Sequence, residues 1–157
     1  MLFQLKLPRS RHLSAAIIAL LAITATLPAA TGSEIESKVQ SLVDRAIAAY
    51  AAEGEAAFVR ISDPEESFRD GELYVFVLRG DVLMAHSGSP NGIGIPIIIY
   101  DWDGTNLNER LSKTASRQGA WITYHHTNPF SGRVEHKRSW LRRYDGMVFG
   151  AGYYNGG

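Results

Sequence analysis

The sequence predicts an α+β fold in which a long N-terminal helix packs on a five-stranded, mostly antiparallel sheet, with a second helix inserted midway. Three observations predict it. Apolar residues recur at helical spacing from Ile35 to Tyr50. After Gly71 the pattern changes to short runs rich in β-branched and aromatic residues, which are separated by glycine-containing turns. Between two groups of these runs, Thr105 or Asn106 supplies the cap of another helix.

The first helix has recognisable start and stop signals. The segment Ser33–Glu36 is typical of a capping box, in which the serine accepts a backbone hydrogen bond and the glutamate reaches back to the cap. Gly54 weakens the helix, and Glu55–Ile61 continues or kinks it until Pro64 ends it. The apolar stripe of this helix can pack on the sheet or on a partner's helix, and dimerisation is compatible with either arrangement.

The sheet is predicted from five residue runs. These are Leu73–Leu78, Val82–His86, Ala120–Thr127, Arg133–Tyr144 and Met147–Tyr154. The turn Asp145-Gly146 is a strong hairpin signal between the last two. Ile95–Tyr100 is apolar but carries Pro96, which predicts an edge strand or a packed loop. The inserted helix is expected to continue to about Gln118, where Gly119 stops it.

The first 32 residues have the layout of a secretory signal peptide. Three basic residues precede the apolar run Leu13–Leu27, and Pro28 and several small residues follow it. A run of this length is short for a membrane span, which needs roughly 20 residues. A cleaved leader is therefore expected, with an uncleaved signal anchor as the alternative. Either arrangement makes residues 33–157 a single periplasmic or secreted domain.

Composition argues against several classes of function. Without the leader, 13 basic residues accompany 16 acidic ones, and a nucleic-acid partner would favour a clearly basic domain. The chain has no cysteine, so it has no disulfide and no cysteine nucleophile. A G-x-S-x-G nucleophile motif and a phosphate-binding loop are also absent from the sequence. We expect no enzymatic activity and no cofactor.

Three stretches of the chain resemble a known family when they are taken in order. They are LYVFVLRGDVLMAHSGSP, GAWITYHHTNPFSGRVEHKRSWLRR and GMVFGAGYY. The specific pieces are the hairpin that ends in Ala85-His86, the Trp, Tyr, Asn-Pro, Gly, Lys and Ser series over residues 121–139, and the closing Gly150–Tyr153. Together they resemble a single Cache domain, the PAS-like extracytoplasmic sensor module, over Ser41 to Tyr154.

The resemblance implies a sensor domain that binds a small ligand, often a carboxylate or a similar polar metabolite, on one face of the sheet. The signal would pass through a separate partner, such as a membrane receptor or a histidine kinase. The chain departs from the family pattern at Ile93–Ile95, where the family usually has a segment close to Leu-Val-Gly-Lys. His126 and Trp140 also stand where tryptophan and tyrosine are common.

Alternation of side chains along the strands, combined with the resemblance, selects the candidate ligand site. Tyr124 and His126 share one face of their strand, and Lys137 and Ser139 share one face of the next. His86 would enter from the first hairpin. We expect the Lys137 ammonium to hold a carboxylate, with hydrogen bonds from Tyr124 and His126 and an added donor at Ser139.

Two other functions stay open at this point. Histidines 86, 125, 126 and 136 suggest a metal site, although adjacent histidines on a regular strand face opposite sides. Asp101–Glu109 lacks the ligand spacing of a calcium loop and predicts a turn and a helix start instead. The second alternative is a non-catalytic interaction subunit, whose first helix pairs with a receptor or with a second copy as a homodimer, and whose pocket is vestigial.

Overall fold

The computed structural model describes residues 32–155, so residues 1–31 of the predicted leader lie outside the described residues. The helices are α1 (Gly32–Glu53), α2 (Ala57–Ile61) and α3 (Leu107–Thr114), and a 3-10 turn at Gly54–Ala56 joins the first two. The strands are β1 (Arg69–Asp70), β2 (Leu73–Arg79), β3 (Val82–His86), β4 (Ala120–Thr127), β5 (Val134–Tyr144) and β6 (Met147–Asn155). None of the helices within residues 32–155 has the length and hydrophobicity to cross a membrane.

The strands form one sheet in which all paired strands are antiparallel. β2 pairs with β1 and β3 along one edge and with β6 along the other, and the sheet continues through β5 to β4. The predicted α+β architecture is confirmed. The two-residue strand β1 is an addition to the five predicted strands.

Helix α1 lies across one face of this sheet. Its buried apolar residues are Val39, Leu42, Val43, Ala46 and Ile47. They belong to the same core cluster as Val75, Val77 and Phe149 of the sheet. The apolar stripe of α1 therefore packs on the sheet, which was one of its two predicted contacts. Gly54 has a positive φ of 63°, and there α1 gives way to the 3-10 turn that leads into α2.

The start of α1 differs from the predicted capping box. The helix already includes Gly32, so Ser33 lies inside its first turn rather than at its cap. The side-chain contacts of Ser33 lie outside the described residues. At the other end of the domain, the Asp145-Gly146 hairpin is present, and Asp145 has a positive φ of 46°.

Helix α3 and the long loop before it cover the opposite face of the sheet. The Asn106 side chain caps α3 by accepting a hydrogen bond from the Glu109 amide at 3.1 Å, as predicted. The helix ends at Thr114 rather than near Gln118, because Ala115 adopts an extended backbone conformation. The chain then runs alongside β5 and returns as β4.

The apolar segment Ile95–Tyr100 is a loop rather than the alternative edge strand, but it is not packed as predicted, because Ile95, Ile98 and Tyr100 are exposed. Its backbone is anchored where the Ile97 amide donates to the Asp81 carbonyl at 2.9 Å, and Pro96 makes a single bridge to Val82. The loop lies over the sheet without becoming a strand of it, so a space is left between the two.

Candidate ligand-binding site

A cavity of about 340 Å³ lies between the sheet and the cover formed by α3 and its preceding loop. We call it the Lys137 cavity. Its polar lining includes Tyr74, Asp81, His86, Ser89, Asn91, Tyr124, His126, Thr127 and Lys137. Its aliphatic lining comprises Leu78, Leu83, Ile97, Ile99, Leu107 and Leu111. Four of the five predicted ligand residues therefore line one cavity, and the fifth, Ser139, lies behind it.

Lys137 is the charged side chain at the centre of the polar part of the cavity. The residue is 1 % exposed. Its Nζ atom lies 3.7 Å from the centre of the Tyr74 ring, with the rings of Phe76 and Tyr154 at 5.1 and 5.2 Å. No Asp or Glu within residues 32–155 forms an ion pair with it. Burial lowers the pKa of this lysine well below its usual value.

Tyr124 and Lys137 are directly opposite each other on β4 and β5. The Tyr124 hydroxyl is 3.0 Å from the Ser139 hydroxyl, and both side chains are buried. Ser139 thus contacts the cavity wall through Tyr124 rather than lining the cavity itself. Burial raises the pKa of Tyr124, so its hydroxyl keeps its proton and can donate a hydrogen bond.

His86 enters the cavity from the end of β3, as expected. Its Nδ1 atom accepts hydrogen bonds from the backbone amides of Ser89 and Gly88, at 2.7 and 3.2 Å. Burial, and secondarily the charge of Lys137, lowers the pKa of His86 to about 3, so the ring is neutral at pH 7. A neutral ring that accepts at Nδ1 carries its proton at Nε2. His86 is therefore a neutral donor.

His126 completes the predicted set. Burial is the main cause that lowers its pKa to about 4, and the charge of Lys137 lowers it further. Both histidines that line the cavity are neutral near pH 7, so Lys137 is the basic side chain of the lining that can supply a positive charge. The acid in the lining, Asp81, accepts a hydrogen bond from the Asn108 side chain at 3.2 Å.

The sequence analysis missed the aromatic cage around Lys137. Tyr74 and Phe76 share a face of β2 by simple alternation, which the sequence displays. Tyr154 is the direct β6 neighbour of Lys137, and its hydroxyl is 2.7 Å from that of Tyr74. The cage could not be predicted because it depends on the strand order. Alternation along a strand does not indicate that β6 lies between β2 and β5.

The four histidines of the metal alternative do not meet in one place. His86 and His126 line the Lys137 cavity, whereas His125 and His136 lie together across the sheet from them. Within residues 32–155, no three His, Cys, Asp or Glu side chains are grouped so as to hold a metal ion. The predicted separation of His125 from His126 to opposite sides of β4 is confirmed.

Solved structures of chemotaxis and chemosensory proteins are similar in fold to this chain. A periplasmic sensor domain of a chemotaxis protein is 25% identical, with a TM-score of 0.57 over 79% of this chain and 92% of the other. A methyl-accepting chemotaxis protein from Vibrio parahaemolyticus RIMD 2210633 is 15% identical, with a TM-score of 0.58 over 76% and 87%. The chain has the fold of a Cache-like sensor domain.

A third structure supports the same assignment. It is described as the structural basis for carboxylic acid recognition by a Cache chemosensory domain, and it is 20% identical to this chain. The TM-score is 0.56, over 78% of this chain and 88% of the other chain. No protein-family model matches the sequence, and no curated protein matches it either.

Proposed function

We propose that this Cache-like domain is a non-catalytic extracytoplasmic sensor that binds a small carboxylate in the Lys137 cavity and signals through a separate partner. The observation that carries the proposal is the buried Lys137 ammonium, which faces a cavity and forms no ion pair within residues 32–155. A buried charge normally has a partner, because removing an ion from water costs several kcal/mol. A carboxylate ligand would be that partner.

The other polar groups of the cavity fit an anion better than a cation. The Lys137 ammonium, the His86 Nε2–H group and the Tyr124 hydroxyl are all donors. Charge-assisted hydrogen bonds from such donors to a carboxylate are roughly twice as strong as neutral ones. The aromatic cage stabilises the ammonium when the ligand is absent, since cation–π contacts contribute about 2 kcal/mol or more when they are desolvated.

The aliphatic lining supports a ligand with a hydrocarbon part. Leu78, Leu83 and Ile97 line the cavity with purely hydrocarbon side chains, and α3 adds Leu107 and Leu111. A monocarboxylate with a short apolar body would bury that body against these side chains at about 25 cal/mol per Å². The neighbour described as recognising a carboxylic acid supports this class of ligand.

The location and the partner follow from the leader and the neighbours. The predicted signal peptide, or signal anchor, would deliver residues 33–157 to the periplasm or the outside of the cell. A membrane receptor or a histidine kinase is the expected partner, and the similarity to a periplasmic sensor domain of a chemotaxis protein supports a role in signalling. A homodimer through α1 would have to use the exposed face of that helix, because the apolar stripe already packs on the sheet.

The direct test is a thermal-shift and calorimetry screen. The panel contains straight-chain monocarboxylates of increasing length, with the matching amides and amines. A ligand at 100 times its Kd stabilises the native state by about 2.7 kcal/mol. We expect acids to raise the melting temperature and the matching amides to have no effect. Lys137→Met should lose the response, and Lys113→Met, an exposed lysine of α3, should keep it. The proposal would be refuted if none of the acids stabilised the wild-type domain.

A further inference from the structure

Two histidines lie side by side on the face of the sheet opposite the Lys137 cavity. His125 of β4 and His136 of β5 are direct cross-strand partners. Their Nε2 atoms are 3.1 Å apart, and their ring centres are 4.0 Å apart. His136 is exposed, and the side chain of His125 is 21% exposed, so the pair is accessible from solvent.

A buried carboxylate orients His125. The Asp101 Oδ1 atom lies 3.3 Å from His125 Nδ1, and Asp101 is itself fixed by Arg110 at 2.7 Å and by the Trp102 amide at 2.8 Å. The same Oδ1 atom accepts a hydrogen bond from the His125 amide at 3.1 Å, so it contacts both the backbone and the ring of His125. A carboxylate beside Nδ1 favours the tautomer in which Nδ1 carries the proton and Nε2 has the lone pair.

His136 is able to turn a second lone pair toward the same point. Its ring has no other polar contact within residues 32–155, so its Nδ1 atom can carry the proton in solvent. Metal–nitrogen bonds of about 2.05 Å to two atoms at this separation would enclose an angle of about 100°, which lies between square-planar and tetrahedral values. The spacing therefore suits chelation of one ion by both Nε2 atoms.

We propose that His125 and His136 form a two-histidine site for a divalent late transition-metal ion, with Asp101 as the positioning residue of His125. Imidazole nitrogen suits Cu²⁺, Ni²⁺ and Zn²⁺, and Cu²⁺ binds most tightly to such ligands. No third His, Asp or Glu joins the pair in the described part of the chain, so the remaining coordination positions are open to water or to another molecule. The site is independent of the carboxylate proposal because it lies across the sheet from the cavity.

A hydrogen bond from one ring to the other is the competing explanation of the short distance, and a copper titration separates the two. The Trp102 ring contacts His125 at a tilt of 40°, with ring centres 4.7 Å apart, so bound Cu²⁺ should quench tryptophan fluorescence. The full chain is titrated with Cu²⁺ alone, and binding is followed by fluorescence and by electron paramagnetic resonance. We expect saturable quenching and copper spectra with coupling to two imidazole nitrogens.

The variants test the ligands. His136→Gln can still hydrogen-bond to His125 but has no imidazole, and we expect it to bind Cu²⁺ at least tenfold more weakly and to lose the two-nitrogen signal. Asp103→Asn, which removes a nearby exposed carboxylate and keeps both histidines, should bind as the wild type does. Asp101→Asn should weaken binding, while His136→Gln retains the wild-type melting temperature. Unchanged affinity in His136→Gln, or a wild-type spectrum without two coupled imidazoles, would overturn the proposal.

Discussion

Replacement of Lys137 by methionine tests the central physical claim, because it predicts two effects of opposite sign. Methionine keeps most of the hydrocarbon volume of lysine and removes the ammonium. The unliganded domain should become more stable, because the substitution removes a buried ammonium that has no ion-pair partner in residues 32–155. That ammonium lies in the aromatic cage of Tyr74, Phe76 and Tyr154. The affinity for carboxylates should fall, because no other Lys or Arg of residues 32–155 lines the cavity.

The magnitudes follow from the contacts. Replacing buried ionic groups by apolar ones of similar volume is neutral or stabilises proteins by about 1–4 kcal/mol. The Tyr74 ring at 3.7 Å already offsets part of the burial of Lys137, so we expect about 1–2 kcal/mol, or about 3–6 °C in melting temperature. A hydrogen bond to a charged group contributes about 1.5–3 kcal/mol, which corresponds to about a 10- to 150-fold loss of carboxylate affinity.

The gain in stability should depend on pH in a defined direction. Burial lowers the pKa of Lys137 in the folded state below its unfolded value, so the unfolded chain binds more protons between the two pKa values. The destabilisation by lysine is complete below the folded pKa and disappears as the pH rises toward 10.5. The difference in melting temperature between Lys137→Met and the wild type should therefore shrink as the pH rises.

Differential scanning calorimetry measures the stability and isothermal titration calorimetry measures the affinity, with Lys113→Met as the control for loss of a lysine. A less stable Lys137→Met domain would show that the ammonium has a stabilising partner in the unliganded fold. Unchanged carboxylate affinity would show that the ammonium does not contact the anion. Either result refutes the reasoning about this cavity.

Three further predictions concern the rest of the cavity. Acid should destabilise the domain, because His86 and His126 have folded pKa values of about 3 and 4, below the unfolded value of about 6.5. The stability that is present above pH 6.5 is lost as the pH falls toward 4. The free energy of unfolding should fall by up to about 1.4 kcal/mol per pH unit for each histidine. Urea unfolding at pH 7.5 and pH 5 measures this, and His126→Gln should reduce the difference. Ser139→Ala removes the hydrogen-bond partner of the buried Tyr124 hydroxyl and should lower the free energy of unfolding by about 1–3 kcal/mol. A bound carboxylate should restore part of this loss. Equal melting temperatures of the variant and the wild type would contradict the prediction. Leu83→Phe should fill the aliphatic part of the cavity and weaken longer acids more than acetate in the same calorimetric screen, so a uniform effect along the series would argue against a hydrocarbon tail at this position.

Strand alternation was the most informative feature of the sequence at the candidate site. It correctly placed Tyr124 with His126 on one face of β4 and separated His125 from His126, whereas the resemblance to the Cache family brought Lys137 to the same site. It also permitted His125 and His136 to share a face, but the sequence carried no sign of their 3.1 Å contact or of the Asp101 carboxylate beside them. The contact between the histidines depends on the register of β4 and β5, and the Asp101 contact depends on a loop whose path is not periodic.

The sequence by itself determined the elements and the side of the sheet on which each side chain lies, because hydrophobic periodicity and turn residues act over a few neighbouring positions. The stripe of α1, the hairpins and the shared face of Tyr124 and His126 belong to this class. Only the tertiary structure decided what surrounds those side chains. The insertion of β6 between β2 and β5 brings Tyr74 and Tyr154 around Lys137, and the loop before α3 leaves a cavity instead of solid packing. Both depend on contacts between residues far apart in the chain, which no local pattern records.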